Sequence, residues 1–234
     1  MTALLDMGRL PNAYLGLLND NFSGCEAVNI FGFNRAVDDE FETLWNGPAA
    51  YALPASQSAL SVVSSSASDT MPVLISGLDE NYIQRQEVVT LTGTSAVTTA
   101  QPFYRINSAV ILSGSNVGNI SLKIGDTVHA YIEAGIGVTQ ACAYTVPAGK
   151  SLYLVRIDLT SGSVNPNKYV TYRNVLGASN GRVLRVAEAT WQTGQQSFDR
   201  QVPFKIPEKT DFRFEAKSSS GSNEVSIFVE GYIG

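Results

Sequence analysis

Apolar and polar residues alternate in short segments along most of this chain, and the clearest case is the stretch at 137–160, GVTQACAYTVPAGKSLYLVRIDLT. On either side of VPAG at 146–149, every second residue is apolar or aromatic, which is the period of a β-strand with one buried face. The proline and glycine between the two halves favour a tight turn. We therefore predict an antiparallel hairpin, with Cys142 as a buried thiol on its apolar face.

Weaker segments of the same kind follow from residue 49 to the end of the chain, separated by turn residues at intervals of about 8–12 positions. This spacing is typical of sandwiches and jelly rolls. We predict an all-β fold, an antiparallel β-sandwich or jelly-roll-like structure with one or two sandwiches. The predicted regions are an N-terminal arm with a short helix at 1–47, a β-rich region at 48–127 and a jelly-roll-like β-sandwich at 128–234. The last two regions are either separate or one continuous domain.

One segment has the period of a helix. Val37, Phe41, Leu44 and Trp45 recur at i, i+4, i+7 and i+8, which places them on one helix face. Acidic residues at 38–40 would lie in the first turn, where the helix dipole favours negative charge. The pattern predicts a short helix over residues 38–45. The acidic residues lack the spacing of a calcium loop, so we predict no cation site there.

Residues 1–30 show no steady period and mix leucines with glycine and proline. An isolated extended segment cannot bury its own leucines. Two interpretations therefore remain open: an arm that lies across another surface, or an edge strand that folds back on its own domain.

The composition is poor in charged residues, which make up 16% of the 234 residues, with a formal net charge of −5. Nucleic-acid binding needs a basic stripe that displaces counterions from phosphates, so we expect no nucleic-acid partner. No run of about 20 apolar residues occurs, so we expect no membrane partner. The N-terminus lacks the basic start and apolar core of a signal peptide, and we expect a soluble protein made in a reducing cytoplasm.

Residues that could carry catalysis are isolated in the sequence. His129 is the only histidine, and no second histidine or thiolate stands at zinc-ligand spacing. Cys25 and Cys142 are far apart and outside any Cys-x-x-Cys motif. The serines lie in predicted turns. We therefore predict that the protein is not an enzyme, with no catalytic residue, cofactor or metal site, and interpret His129 as a surface or ladder histidine.

Exposed aromatic residues offer a different chemistry, because sugar-binding proteins use them as platforms. Trp191, Tyr153, Tyr169 and Tyr172 are the candidates for such a platform. Core packing accounts for most tyrosines in β-sheets, so this interpretation stands beside a purely structural one.

Several blocks of the chain resemble a known group of proteins. The blocks are FGFNRAVDDEFETLW, SSSASDTMPVLISGLDENY, VTLTGTSAV, FYRIN, GNISLKIG, TQACAYTVPAGKSLYLVR and PFKIPEKTDFRFEA. In this order, over residues 31–217, they resemble a group of tailed-bacteriophage virion structural proteins found especially in phages of marine and cyanobacterial hosts. The resemblance implies a β-rich protein of the capsid or tail, such as a decoration or cement protein, and it brings no functional residues with it.

We therefore predict a non-enzymatic structural protein of a phage virion, which stabilises or decorates the capsid by bridging neighbouring subunits. The alternative is a tail-associated module that binds host glycans. The expected partners are other virion proteins (the major capsid protein or tail proteins) and further copies of the chain in a homo-oligomer. The apolar load of the N-terminal region gives the predicted partner-binding residues: Leu10, Leu15, Leu18, Phe31, Phe33, Arg35, Phe41 and Trp45.

Overall fold

A computed structural model describes residues 24–162, 169–178, 183–191 and 194–234. Within these ranges the chain forms β-strands and no helix, so the predicted all-β class is confirmed. The strands are β1 (Glu26–Val37), β2 (Glu42–Thr43), β3 (Ser58–Ser64), β4 (Pro72–Leu78), β5 (Gln84–Thr90), β6 (Val97–Phe103), β7 (Arg105–Ile111), β8 (Ile120–Ile124), β9 (Thr127–Ile132), β10 (Ala143–Thr145), β11 (Leu152–Ser161), β12 (Val170–Ala178), β13 (Val183–Trp191), β14 (Gly194–Ile206), β15 (Thr210–Ser218) and β16 (Asn223–Ile233).

The strands form four antiparallel sheets. Sheet I has the order β1-β16-β11-β14, and sheet II has the order β10-β15-β12-β13 with β2 also paired to β15. Sheet III has the order β6-β3-β8-β9, and sheet IV has the order β5-β4-β7. Sheets I and II enclose one apolar core, whereas sheets III and IV enclose another. We call the first pair the terminal unit and the second pair the inserted unit, because β3–β9 lie between β2 and β10 in the sequence.

The strands of the terminal unit pair from the ends of its sequence inwards. If the two-residue β2 is set aside, the first strand β1 pairs with the last strand β16, and β10 pairs with β15. In the same way β11 pairs with β14, and β12 pairs with β13. Period-two alternation supplies the core, since Val225, Ile227 and Val229 of β16 face Phe212 and Phe214 of β15 across it.

The predicted hairpin at 137–160 contains two strands, but they do not pair with each other. β10 belongs to sheet II and β11 belongs to sheet I, so the turn at 146–149 carries the chain from one layer to the other. Gly149 in this turn has a φ of 75°, which glycine adopts at little cost. The pattern predicted the strands and the turn correctly and their partners wrongly. Cys142 is fully buried and free, as predicted.

The predicted helix over residues 38–45 is wrong. Asp38 Oδ1 accepts a hydrogen bond from the Glu40 N–H, and Glu42 Oε1 accepts one from the Asp38 N–H. Such bonds compete with a helical backbone, and an eight-residue helix is marginal without packing. Glu42 and Thr43 instead pair with the edge of β15, while Leu44 is buried in the core.

The predicted division of the chain at residues 47 and 127 stays a prediction. In the fold, β1 and β2 of the predicted arm pair with β16 and β15, and β9, which begins at Thr127, pairs with β8. Residues 1–23 of the arm lie outside the described residues.

Polar groups join the two units. Asn107 Nδ2 in β7 donates to the Thr145 carbonyl at 2.9 Å, and the Thr145 N–H donates to Asn107 Oδ1 at 2.8 Å. The Ala148 N–H donates to the Tyr82 carbonyl at 2.9 Å. These bonds hold sheet IV of the inserted unit close to β10 of the terminal unit.

Candidate partner-binding surface

The predicted partner-binding residues fall into three groups. Leu10, Leu15 and Leu18 lie outside the described residues. Phe31, Phe33 and Arg35 stand at alternate positions of β1, on the face of sheet I turned away from the core. Phe41 and Trp45 lie beyond β1, close to sheet II.

The β1 group forms a small aromatic and cationic patch. Phe31 is 37% exposed, and Phe33 is partly buried. The Arg35 guanidinium carbon lies 5.1 Å from the centroid of the Phe33 ring, and Arg35 Nη2 lies 2.8 Å from Glu133 Oε1. Arg35 is thus paired with the inserted unit through an exposed ion pair, which contributes little to stability.

Phe41 and Trp45 are engaged within the chain. The centroid of the Phe41 ring lies 3.7 Å from the Arg173 guanidinium carbon and 4.7 Å from Lys217 Nζ, so the ring packs under two cations. Trp45 is 4% exposed, and its indole N–H donates to the Ala49 carbonyl at 2.9 Å. The indole ring is therefore part of this chain's own packing, although both residues stay predictions as partner contacts.

A cleft of about 700 Å³ lies between the two units. Residues 26–31 of β1 line one side, and Ser76, Gln86 and Ser108 of sheet IV line the other. Among the described strands, β1 pairs with β16 alone, so it is an edge of sheet I. An unpaired strand edge presents backbone N–H and C=O groups that can pair with a further strand.

An apolar row begins at the rim of this cleft. In the register of sheet IV, Val88, Leu74 and Val110 stand side by side, and Val138 forms a β-bridge with Val110. Val88 is 52% exposed and Val138 is 39% exposed, while Leu74 and Val110 are partly exposed. Pro72, Leu112 and Ile136 lie beyond this row, and Leu112 and Ile136 are also exposed. We call Val88, Leu74, Val110 and Val138 the apolar row.

The charged residues that line the cleft are Glu26 and Arg85, and Arg85 is paired within the chain. Arg85 Nη2 lies 2.7 Å from Asp79 Oδ2. Burial raises the pKa of Asp79, but hydrogen bonds from the Ile83 N–H, Arg85 and the Asn81 N–H outweigh this effect and hold the pKa below its ordinary value. Asp79 is therefore ionised at neutral pH and neutralised by Arg85. An apolar, weakly charged occupant suits this surface better than a highly charged one.

The residues that could carry catalysis do not meet. His129 is buried in β9, with Nδ1 2.7 Å from the Ala52 carbonyl oxygen, so of the two predicted places it lies in a strand of the sheet and not on the surface. Burial raises the pKa of the Cys142 thiol well above its ordinary value, which disfavours the thiolate. Within the described ranges, no group of three or more His, Cys, Asp or Glu side chains is placed to hold a metal ion.

The three candidates for a sugar platform whose side chains are described, Tyr153, Tyr169 and Tyr172, are not brought together. Tyr153 stacks on Tyr232 in sheet I, with ring centroids 4.9 Å apart and an interplanar angle of 14°. Tyr172 is buried in the core from sheet II, whereas Tyr169 is 50% exposed. The side chain of Trp191 lies outside the described residues. This arrangement gives no support to the glycan-binding alternative.

Sequence reasoning missed the apolar row, although a signal for it exists. Leu74 stands in the continuous apolar run Val73-Leu74-Ile75, and Val88 directly precedes the buried Val89. A strand with one solvated face alternates, whereas a continuous apolar run is typical of a strand covered on both faces. The runs thus indicated that the outer face of sheet IV can also be covered.

Comparisons with known proteins do not assign this chain to a family. No family model and no curated protein sequence matches the chain. One solved structure that aligns with it is described as the structure of infectious bursal disease virus Gt strain. The alignment has 12% sequence identity and a TM-score of 0.24, and it covers 89% of this chain and 71% of that chain. A likeness at this TM-score carries no argument about function.

In the described part of the chain, no helix is long and apolar enough to cross a membrane.

Proposed function

We propose that this protein is a non-enzymatic structural component of a tailed-bacteriophage virion, which stabilises or decorates the capsid by bridging neighbouring subunits. It is made in the host cytoplasm and resides in the virion as a homo-oligomer. Its partners are the major capsid protein or tail proteins, and it acts through buried surface rather than chemistry.

The exposed apolar row beside the free edge of β1 carries this proposal. Full burial of one Val or Leu side chain is worth about 1.5–3 kcal/mol, so covering four partly exposed side chains contributes roughly 3 kcal/mol. Left in water, a contiguous apolar face of this kind promotes aggregation. A protein that works inside an assembly has a use for such a face, because a neighbouring subunit covers it.

The strand connectivity of the terminal unit supports the same proposal. Eight strands that pair first with last, second with second-to-last and so on describe a long hairpin rolled into two sheets. We propose that the terminal unit is a jelly roll, an architecture that viral capsid domains and lectins use. The inserted unit then projects from the connection between its first and second strands, where it adds a second surface for neighbours.

Imaging of purified particles with and without the protein tests its location. We expect density for the protein on the capsid lattice, in contact with more than one neighbouring subunit, and less stable capsids when it is absent. The proposal would be contradicted if wild-type particles contain no density for the protein. It would also be contradicted if the protein is present but does not contact more than one neighbouring subunit. Density at the tail tip would favour the glycan-binding alternative instead.

A pair of matched variants tests the surface. Val88→Lys places a charge in the apolar row, and Val202→Lys places the same charge at a residue of β14 that is 80% exposed and outside the row. We expect Val88→Lys to reduce incorporation into particles at least tenfold, while Val202→Lys leaves it within twofold. Equal incorporation of both variants would show that the apolar row is not an interface.

A further inference from the structure

The apolar row and the free edge of β1 belong to one continuous surface. Val138 is a member of the row and also lines the cleft, as does Phe31 of β1. The backbone groups at the free edge of residues 26–31 can hydrogen-bond to an extended strand. The apolar row can be covered by apolar side chains. An occupant that meets both needs is an extended segment that carries apolar residues.

A second copy of sheet IV, packed face to face, is a poor occupant. Three strands of seven residues form a face of about 14 Å by 23 Å, or roughly 300 Å². A stable dimer buries about 800 Å² on each partner. An extended segment in the cleft contacts both walls and the row at once, and so covers more of this surface.

The chain itself contains a segment of the required chemistry. Residues 1–23 hold six leucines and only three charged residues, Asp6, Arg9 and Asp20. The segment joins the described fold at Gly24, next to β1. Twenty-three extended residues can span up to about 75 Å, whereas a folded chain of this length has a radius of gyration of about 18 Å. The segment is therefore long enough to reach a neighbouring copy.

Contacts at Gly24 favour a neighbour's cleft over the cleft of the same chain. Lys150 Nζ donates to the Gly24 carbonyl at 2.9 Å, and Cys25 lies beside Gly234. Lys150 directly precedes Ser151, which exchanges backbone hydrogen bonds with Gly234 at the end of β16. Both contacts hold the start of β1 on its paired side, whereas the cleft lies along its unpaired side.

We propose that the cleft and the apolar row receive residues 1–23 of a neighbouring copy of this chain, which adds a strand to the free edge of β1. The inference rests on the proposed function, because exchange of this segment is a direct way for copies to bridge one another. Leucines of the incoming segment cover Val88, Leu74, Val110 and Val138.

Cysteine cross-linking of the full chain tests this exchange. In a Cys25→Ser background, copies with Ser108→Cys in the cleft are mixed with copies with Leu17→Cys, and the assembled oligomer is oxidised. We expect a disulfide between the two kinds of copy, at least tenfold above the control mixture of Leu17→Cys with Asp126→Cys, which places the thiol in the exposed β8–β9 turn. A double variant with both cysteines in one chain should form the bond between chains rather than within one.

A bond that forms only within one chain, or none above the control, overturns the proposal. Hydrogen exchange provides a second readout that needs no cysteine: amides of residues 26–31 should exchange at least tenfold faster when residues 1–23 are deleted. Unchanged exchange in the truncated chain would equally contradict the inference. Imaging of virions distinguishes failure of this inference from failure of the proposed function. If the protein is found on the capsid but no cross-link forms, the proposed function stands and only the exchange of residues 1–23 is ruled out.

Discussion

Arg105 and Asp211 stand 106 residues apart in the sequence and form a bidentate ion pair that joins the two units. Arg105 Nε lies 2.8 Å from Asp211 Oδ1, and Arg105 Nη2 lies 3.0 Å from Asp211 Oδ2. The two side chains are only 7% and 15% exposed. Burial lowers the pKa of Arg105, but the hydrogen bonds and charge of Asp211 outweigh this and raise it. Arg105 therefore stays charged, and the pair fixes β7 of the inserted unit against β15 of the terminal unit.

Arg105→Met should destabilise the protein by about 3–5 kcal/mol, because it leaves the Asp211 carboxylate buried without its cationic partner. Urea unfolding monitored by circular dichroism measures the loss. Arg35→Met is the matched control, since the Arg35 side chain is 60% exposed in its pair with Glu133 and should contribute at most about 1 kcal/mol. Equal losses in the two variants would contradict a special role for the buried pair.

Stability should fall in acid through Asp69, which is fully buried in the inserted unit. Its carboxylate accepts hydrogen bonds from Ser64 Oγ at 2.5 Å, the Val117 N–H at 2.8 Å and the Gly118 N–H at 2.9 Å. Burial raises the pKa of Asp69, yet these three bonds outweigh it and hold the pKa below its ordinary value. The unfolded chain therefore binds this proton more readily than the folded chain.

The sign of the pH effect follows from this difference. The contribution of Asp69 is complete above the ordinary aspartate pKa of about 4 and is lost as the pH falls through the lower folded value. Melting temperatures between pH 2 and pH 7 should drop below about pH 4, and the drop should be shallower in Asp69→Asn. At pH 7 that variant should be less stable by about 2–3 kcal/mol, whereas Asp126→Asn, in an exposed turn, should stay within about 0.5 kcal/mol. A pH profile of Asp69→Asn that parallels the wild type would refute this assignment.

The sequence predicted strands better than it predicted their partners. Alternation reports which face of a strand is buried, and this is a local property, as in the strands around residues 146–149. It does not report which strand lies alongside, because every strand with one apolar face offers the same pattern. The roles of β10 and β11 in different sheets depend on contacts with β15 and β16, which lie more than 50 residues away in the chain.

The helix prediction failed for a related reason. Val37, Leu44 and Trp45 are all buried, so the apolar positions were recognised correctly. Their spacing fits a helix face by coincidence, since β1 buries the first and packing beside β15 and Ala141 buries the others. The candidate surface was predicted in part through Phe31, whereas the apolar row was not predicted, because its residues come from three strands and a loop that meet only in the folded sheet.

Gly32 should tolerate no side chain. A Cβ at this position would lie 2.4 Å from the Cys142 Cβ and 2.5 Å from the Leu44 carbonyl oxygen, closer than real Cβ contacts allow. Gly32→Ala should cost about 3 kcal/mol, because backbone atoms on both sides must move. Gly177→Ala is the matched control, since its nearest neighbour would lie 3.6 Å away and it stands in β12. Chemical denaturation compares the two, and a small loss for Gly32→Ala would mean that β1 packs less closely on this segment.

The two thiols should differ sharply in reactivity. Cys25 is partly exposed at the start of β1, whereas Cys142 is fully buried and its pKa is raised by burial. Alkylation by iodoacetamide at pH 8, read by mass spectrometry, should modify Cys25 in the folded protein and Cys142 only after unfolding in urea. Modification of both at the same rate would contradict the burial of Cys142.

Two truncations should separate the N-terminal segment from the fold. Deletion of residues 1–23 leaves β1 intact, so the shortened chain should melt within a few degrees of the full chain. Deletion of residues 1–30 also removes the paired residues 26–30 and the buried Ile30, and should lower the melting temperature by at least about 10 °C. In particle assembly, however, both truncations should fail, because on our proposal residues 1–23 bridge neighbouring copies. A chain without residues 1–23 that assembles normally would restrict partner binding to other surfaces, and one that unfolds would identify the segment as part of its own core.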